Sequence, residues 1–236
     1  MTDTDLTPRT VLKDFTGFLR RPQVMAGGGL RSTGNWRRWT WLTALMVAVL
    51  LGAILPLLRL WQYAFSLPDP VAFEQFPKEW LVPTVVILAP VSEELLFRGW
   101  QSGSRTALWL LVCAAAGIGA FVLALSPQWA MQALVLLLAA VAGALAGWLI
   151  LRKKPGPLGW FARFYPAIFY CAAALFALVH LGNYGTASLI AVPLVLPQFW
   201  AGLVLGHIRQ QIGLWAAIAA HAVANGVTIG LALAFG

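Results

Sequence analysis

The chain has 236 residues, of which 60% are apolar and 10% charged, with 16 bases against 8 acids. Soluble domains carry about 25% charge, so this composition is too poor in charge to coat a water-soluble globule, and it also excludes disorder, collagen and coiled coil. An integral membrane protein remains, and the net charge of +8 reads as membrane topology rather than as a nucleic-acid surface.

Residues 1–38 form a polar, basic segment. Within it Val11, Leu12, Phe15, Phe18 and Leu19 fall on one helical stripe, with Lys13, Asp14, Arg20 and Arg21 turned away. This predicts a short amphipathic helix, either lying on the membrane surface or docked on the protein itself. Gly27, Gly28 and Gly29 predict a flexible hinge after it. The first apolar run starts too late for a signal peptide.

Residues 39–236 read as one transmembrane domain. Tryptophans favour the membrane–water boundary. Trp39 and Trp61 bracket a first span at about 39–61, and Trp80 and Trp100 a second. Further spans follow at about 106–125, 129–151, 164–182, 188–208 and 212–235, giving an all-α, polytopic transmembrane helix bundle of about seven spans. Pro56, Pro83, Pro90, Pro193 and Pro197 lie inside spans and predict kinks.

The loop charges alternate. Arg9, Lys13, Arg20, Arg21, Arg31, Arg37 and Arg38 precede the first span. Asp69, Glu74, Lys78 and Glu79 follow it; Arg98 and Arg105 flank the next loop, and Ser126–Gln128 carries no charge. Arg152, Lys153, Lys154 and Arg163 come next, then the neutral stretch 182–187, then Arg209. The positive-inside rule places the N-terminus in the cytoplasm and the C-terminus outside, most simply in a cell inner membrane. Cys113 and Cys171 both sit in apolar runs and suggest neither a disulfide framework nor a thiol metal site.

Ionisable groups inside a span are costly and mark function by default. Nearly all of them here fall in three clusters: Glu93, Glu94 and Arg98; His180, preceded one turn earlier by Phe176; and His221 with Asn225. Glu94 and Arg98 are four apart and can pair along their helix. Glu93 is rotated about 100° from Glu94 and must find its partner on another helix, with His180 and His221 as candidates. A buried carboxylate beside imidazoles and an amide can activate water and stabilise an oxyanion. Glu93, His180 and His221 would equally suit a divalent metal such as zinc. The same polar groups could instead hold the bundle together, or serve a coupled carrier. His207, near the cytoplasmic end of its span, reads as an interfacial histidine.

The three clusters resemble the motifs of the CPBP family, the CAAX prenyl protease and bacteriocin-processing family of intramembrane endopeptidases, also known as the Abi/CAAX protease self-immunity family. That pattern is Glu-Glu-x-x-x-Arg, Phe-x-x-x-His and His-x-x-x-Asn on three successive helices. Here it stands as Glu93-Glu94-x-x-x-Arg98, Phe176-x-x-x-His180 and His221-x-x-x-Asn225. The resemblance covers residues 80–101 and 160–230. It departs from the pattern in one respect: Glu93 and His180 lie 87 residues apart, because 106–151 read as an inserted helical hairpin.

The resemblance implies hydrolysis of a peptide bond in a membrane-associated protein or lipidated peptide, within the lipid bilayer. Glu93 would activate water with help from His180. His221 and Asn225 would stabilise the oxyanion, and Glu94 and Arg98 would form a structural pair beside the site. It leaves open a metallo- or a glutamic-type endopeptidase. The competing expectations are a noncatalytic scaffold or self-immunity protein on the same fold and, further off, a small transporter.

Overall fold

The computed structural model describes residues 6–70, 77–154, 156–185 and 188–235. Glu74, counted above among the loop charges, lies outside them. The described residues are helical, with no strand beyond an isolated bridge between Ser104 and Pro157. Among the described residues, seven helices are long and apolar enough to cross a membrane: Gly34–Phe65, Glu79–Arg98, Arg105–Ala124, Pro127–Leu151, Gly159–Tyr184, Leu189–Gln211 and Leu214–Phe235. The count and order are those expected from the apolar runs, and the first span is longer than its tryptophans suggested.

The elements are α1 (Pro8–Arg20), α2 (Thr33–Val49), α3 (Leu55–Phe65), α4 (Lys78–Pro83), α5 (Ala89–Arg98), α6 (Arg105–Ala124), α7 (Ala130–Leu151), α8 (Gly159–Val179), α9 (Leu196–Gln211) and α10 (Leu214–Phe235). They divide into two compact units, Met1–Glu94 with Tyr165–Gly236, and Leu95–Phe164.

The prolines act as breaks in the helical hydrogen-bond ladder. A π-helical turn, Leu50–Ile54, joins α2 to α3 just before Pro56. A second, Thr84–Leu88, separates α4 from α5 between Pro83 and Pro90. A 3-10 stretch, Leu189–Val195, carries Pro193 and leads into α9, where Pro197 sits in the first turn and is tolerated. Such turns are the usual way a helix absorbs a missing or displaced N–H.

In the first unit, α1 starts at a capping box. Thr10 N–H bonds the Thr7 side chain and Thr7 N–H bonds the Thr10 hydroxyl, with Pro8 in the first turn. Of its apolar stripe, Val11 and Phe15 are buried in one cluster with residues of α2, α9 and α10, among them Leu42, Met46, Leu205, Ile208 and Ala217, while Phe18 is buried against Phe169 and His207 and Leu12 stays exposed. The helix is therefore docked on the bundle through Val11, Phe15 and Phe18.

The glycines after α1 correct the expectation of a hinge. Gly28 and Gly29 donate their N–H groups to the carbonyls of Gln211 and Ile212, at 3.1 and 2.8 Å. Carbonyls at the end of a helix have no partner of their own within it, and this strap supplies one. A Cβ at Gly27 would lie 2.8 Å from the Ile212 oxygen, so the close approach requires glycine there. Met25 N–H bonds the Gln210 side chain, which also donates to the Tyr165 hydroxyl at 2.6 Å.

His207 is likewise corrected: it is fully buried, not interfacial. Its ring lies 4.6 Å from that of Phe18 and 5.3 Å from that of Phe15, centroid to centroid, beneath α1.

In the second unit, α6 and α7 pack against each other. Trp109 donates its indole N–H to the Gly143 carbonyl at 2.8 Å, and Gly147 leaves room for the same ring. The turn before α6 is closed by Ser104, whose side chain caps the helix through Ala107 N–H.

Candidate active site

Three elements of the first unit bring the polar clusters together. Glu93 and Glu94 stand in the first turns of α5, just after the π-turn and Pro90. His180 opens a short 3-10 turn, His180–Tyr184, directly after α8. His221 lies two turns into α10.

The Glu93 Oε2 atom lies 3.8 Å from His180 Nε2 and 3.8 Å from His221 Nε2. The partner that Glu93 had to find on another helix is thus two imidazoles on two different helices. Both sequence candidates reach it.

The far side of each ring fixes which nitrogen faces the carboxylate. His180 Nδ1 lies 2.7 Å from the Phe176 carbonyl, which can only accept, so Nδ1 carries the proton. His221 Nδ1 lies 2.9 Å from Glu94 Oε1. In the neutral ring each Nε2 then presents a lone pair toward Glu93. Phe176 walls the pair: its buried ring stands edge-on to His180 at 4.9 Å and to His221 at 6.0 Å.

Both Nε2 atoms lie beside the same acceptor, Glu93 Oε2, and at 3.8 Å neither is within hydrogen-bond distance of it. An arrangement like this is suited to hold a shared donor. Water or an exchanging proton satisfies it chemically. Whether a zinc ion does is a question of distance. Two donors about 2.1 Å from a tetrahedral zinc lie about 3.4 Å apart. The observed separations are longer, and no three His, Cys, Asp or Glu side chains among the described residues gather closely enough to hold an ion. The lone pairs and the groups behind each ring suit a metal, but the spacing does not close on one.

Asn225 sits one turn beyond His221, and its amide donates to the Val85 carbonyl at 2.9 Å. That carbonyl belongs to the π-turn. Ala89 N–H reaches back to Thr84, and Pro90 has no N–H, so the helix offers Val85 no donor of its own. Asn225 fills that place, which ties α10 to the broken helix bearing Glu93. One N–H of its amide is committed there and the second is not needed for this bond.

Glu94 is the residue whose role the spacing did not reveal. Its four-residue step to Arg98 points to an intrahelical pair, whereas the structure sets its carboxylate against His221 of α10. Arg98 closes α5 and is buried, as Glu94 is. Adjacent glutamates about 100° apart on a helix can bracket one imidazole, each addressing a different nitrogen, but nothing in the spacing says which ring.

A model of the family described as type II CAAX prenyl endopeptidase Rce1-like matches residues 75–162 and 157–227. No curated protein and no solved structure matches the chain. The family match spans well over half the sequence and takes in all three motif clusters. The protein belongs to the Rce1-like type II CAAX prenyl endopeptidase family, as a membrane-embedded protease.

Proposed function

We propose that this protein is an intramembrane endopeptidase that cleaves a membrane-associated or lipidated peptide by glutamate-activated water. The observation that carries the reading is the shared approach of His180 and His221 Nε2 to Glu93 Oε2, at 3.8 Å each. A water molecule bridging these acceptors can lose a proton to Glu93 as its oxygen attacks the scissile carbonyl. His180, held through the Phe176 carbonyl, orients that water. The uncommitted N–H of Asn225 is the group available on α10 to meet the oxyanion. The direct test is cleavage by purified protein in liposomes of a peptide ending in a prenylated cysteine and three further residues. Cleavage of this peptide, and not of its unprenylated twin, supports the CAAX-type reading. Cleavage of neither refutes it.

Metal dependence has its own test. Because the donor separations exceed those of a closed zinc site, turnover is expected to survive a strong chelator such as 1,10-phenanthroline. Loss of activity that zinc restores would make the enzyme a metalloprotease.

Orientation follows from the basic loops. Reporter fusions after Lys154 and after Gly236 are expected to report from opposite sides, the cytoplasm and the exterior. Two reports from one side would overturn the arrangement.

A further inference from the structure

The second unit carries a charge pattern that the proteolytic site does not use. Glu94 is the last acidic residue in the chain, so the unit Leu95–Phe164 contains bases and no acid. Arg98 is buried, whereas Arg105, Arg152, Lys153, Lys154 and Arg163 are exposed. None of these five has a carboxylate within its own unit to neutralise it.

The five gather where three helices of the unit end. Arg105 opens α6, Arg152 caps the end of α7, and Arg163 lies one turn into α8. The Leu158 N–H donates to the Gly103 carbonyl at 2.9 Å, and Ser104 and Pro157 form the isolated bridge, so the segments leading into α6 and α8 lie side by side. Gly103 has a φ of 65°, and a Cβ there would run into the Phe161 ring, so this joint requires glycine. The other end of α6 and α7, Ser126–Gln128, carries no charge.

Exposed rings border the bases. Trp148 is 45% exposed, Trp160 55% and Phe164 56%. The Arg152 guanidinium lies 4.7 Å from the centre of the Trp148 ring, and that of Arg163 lies 5.8 Å from the centre of the Phe164 ring. Both are cation–π distances. A guanidinium laid on a ring is held in place and keeps N–H groups on its edge for a phosphate. Orienting a span requires bases in a loop, but it does not require them to be laid on rings or tied to a second loop.

We propose that this end of the second unit is a docking surface for the headgroups of anionic phospholipids. The phosphates meet Arg152, Lys153, Lys154 and Arg163, and Trp148, Trp160 and Phe164 lie beside the upper acyl chains. The surface is half cation and half exposed ring, and a lipid supplies an anionic head and an apolar body in one molecule. An acidic peptide or free phosphate would match the cations and leave the rings without a partner. The surface is separate from Glu93, His180 and His221, so the proposal stands or falls independently of hydrolysis.

The test titrates the full-length protein in a neutral detergent with phosphatidylglycerol or with phosphatidylcholine, counting bound lipid by native mass spectrometry. Phosphatidylglycerol is expected to bind at least about tenfold more tightly. A base near an anionic surface contributes about fivefold in affinity, so Arg152→Gln/Arg163→Gln is expected to weaken phosphatidylglycerol binding about 30-fold and to leave phosphatidylcholine unchanged. If the double variant does not accumulate, the two single variants are each expected to lose about fivefold. Arg9→Gln/Arg20→Gln removes two exposed bases from α1 and is the matched control, expected to keep the preference.

Equal binding of the two lipids would overturn the proposal. So would a preference that survives Arg152→Gln/Arg163→Gln, or one lost equally in the α1 control, which would make it an effect of net charge alone. Full displacement of phosphatidylglycerol by millimolar inorganic phosphate or by a polyglutamate peptide would give the surface to an anion or an acidic partner instead, and would overturn it too.

Discussion

Glu93→Gln is expected to lower turnover by about 10²–10⁴ while the protein folds normally. Glutamine keeps the length and nearly the volume of glutamate but cannot take a proton from water. The cost to folding is small because of how Glu93 is held. Its buried Oε2 has no hydrogen-bond partner among the described residues, and its two neighbours stand at 3.8 Å. Removing a carboxylate that makes no direct bond removes little native stability, and groups kept for chemistry at the expense of stability are common at active sites. Thermal unfolding should therefore be unchanged or slightly raised, and peptide cleavage lost. A self-immunity or scaffold role on the same fold would leave the phenotype of Glu93→Gln intact. A fully active Glu93→Gln would end the glutamate mechanism.

The contrast with Glu94 shows what sequence spacing can and cannot reveal. Helical periodicity separates Glu93 from Glu94 and turns Glu93 toward another helix, and the structure finds it there. The same periodicity links Glu94 to Arg98 because both lie on one helix, and it has no means to show that His221, more than a hundred residues on, reaches the same carboxylate. Asn225 follows that pattern. Its place one turn after His221 is legible, but its bond to Val85 depends on a π-turn that exists because Pro83 and Pro90 bracket the segment. The prolines announced a break without saying which carbonyl it would leave free.

The number and order of the spans are legible, because a lipid-soluble helix must be apolar along its whole length, although the first span is longer than its tryptophans suggest. The N-terminal segment was less so. An amphipathic stripe looks alike whether it meets lipid or protein, and a glycine run looks alike whether it is free or pressed against a helix end. The docked α1 and the bonds from Gly28 and Gly29 to Gln211 and Ile212 are tertiary facts. His207 follows the same rule: α1 buries it, and its position within its own span does not show that α1 lies over it.

The packing of α8 on α9 should be as sensitive as the chemistry. Gly206→Ala is expected to destabilise the protein by about 1–3 kcal/mol, the usual cost of overfilling a packed site. A Cβ at Gly206 would lie 2.6 Å from the Phe169 ring, which is 1% exposed. That ring has nowhere to go, since Phe18 meets it edge-on at 5.2 Å and Tyr170 at 5.2 Å. One turn earlier, a Cβ at Gly202 would meet the Ala173 backbone at 3.2 Å, so the two helices touch along a seam of small residues. Forcing them apart displaces α8, which leads directly into His180. Gly206→Ala should therefore lose turnover as well as stability, and Gly206→Leu should fail to accumulate. Gly230→Ala on α10 is the matched control, because a Cβ there meets nothing within 4 Å and alanine favours the helix. Thermal unfolding and peptide cleavage of the two alanine variants decide the point. If Gly206→Ala unfolds with Gly230→Ala and cleaves at the wild-type rate, the seam does not set the position of His180.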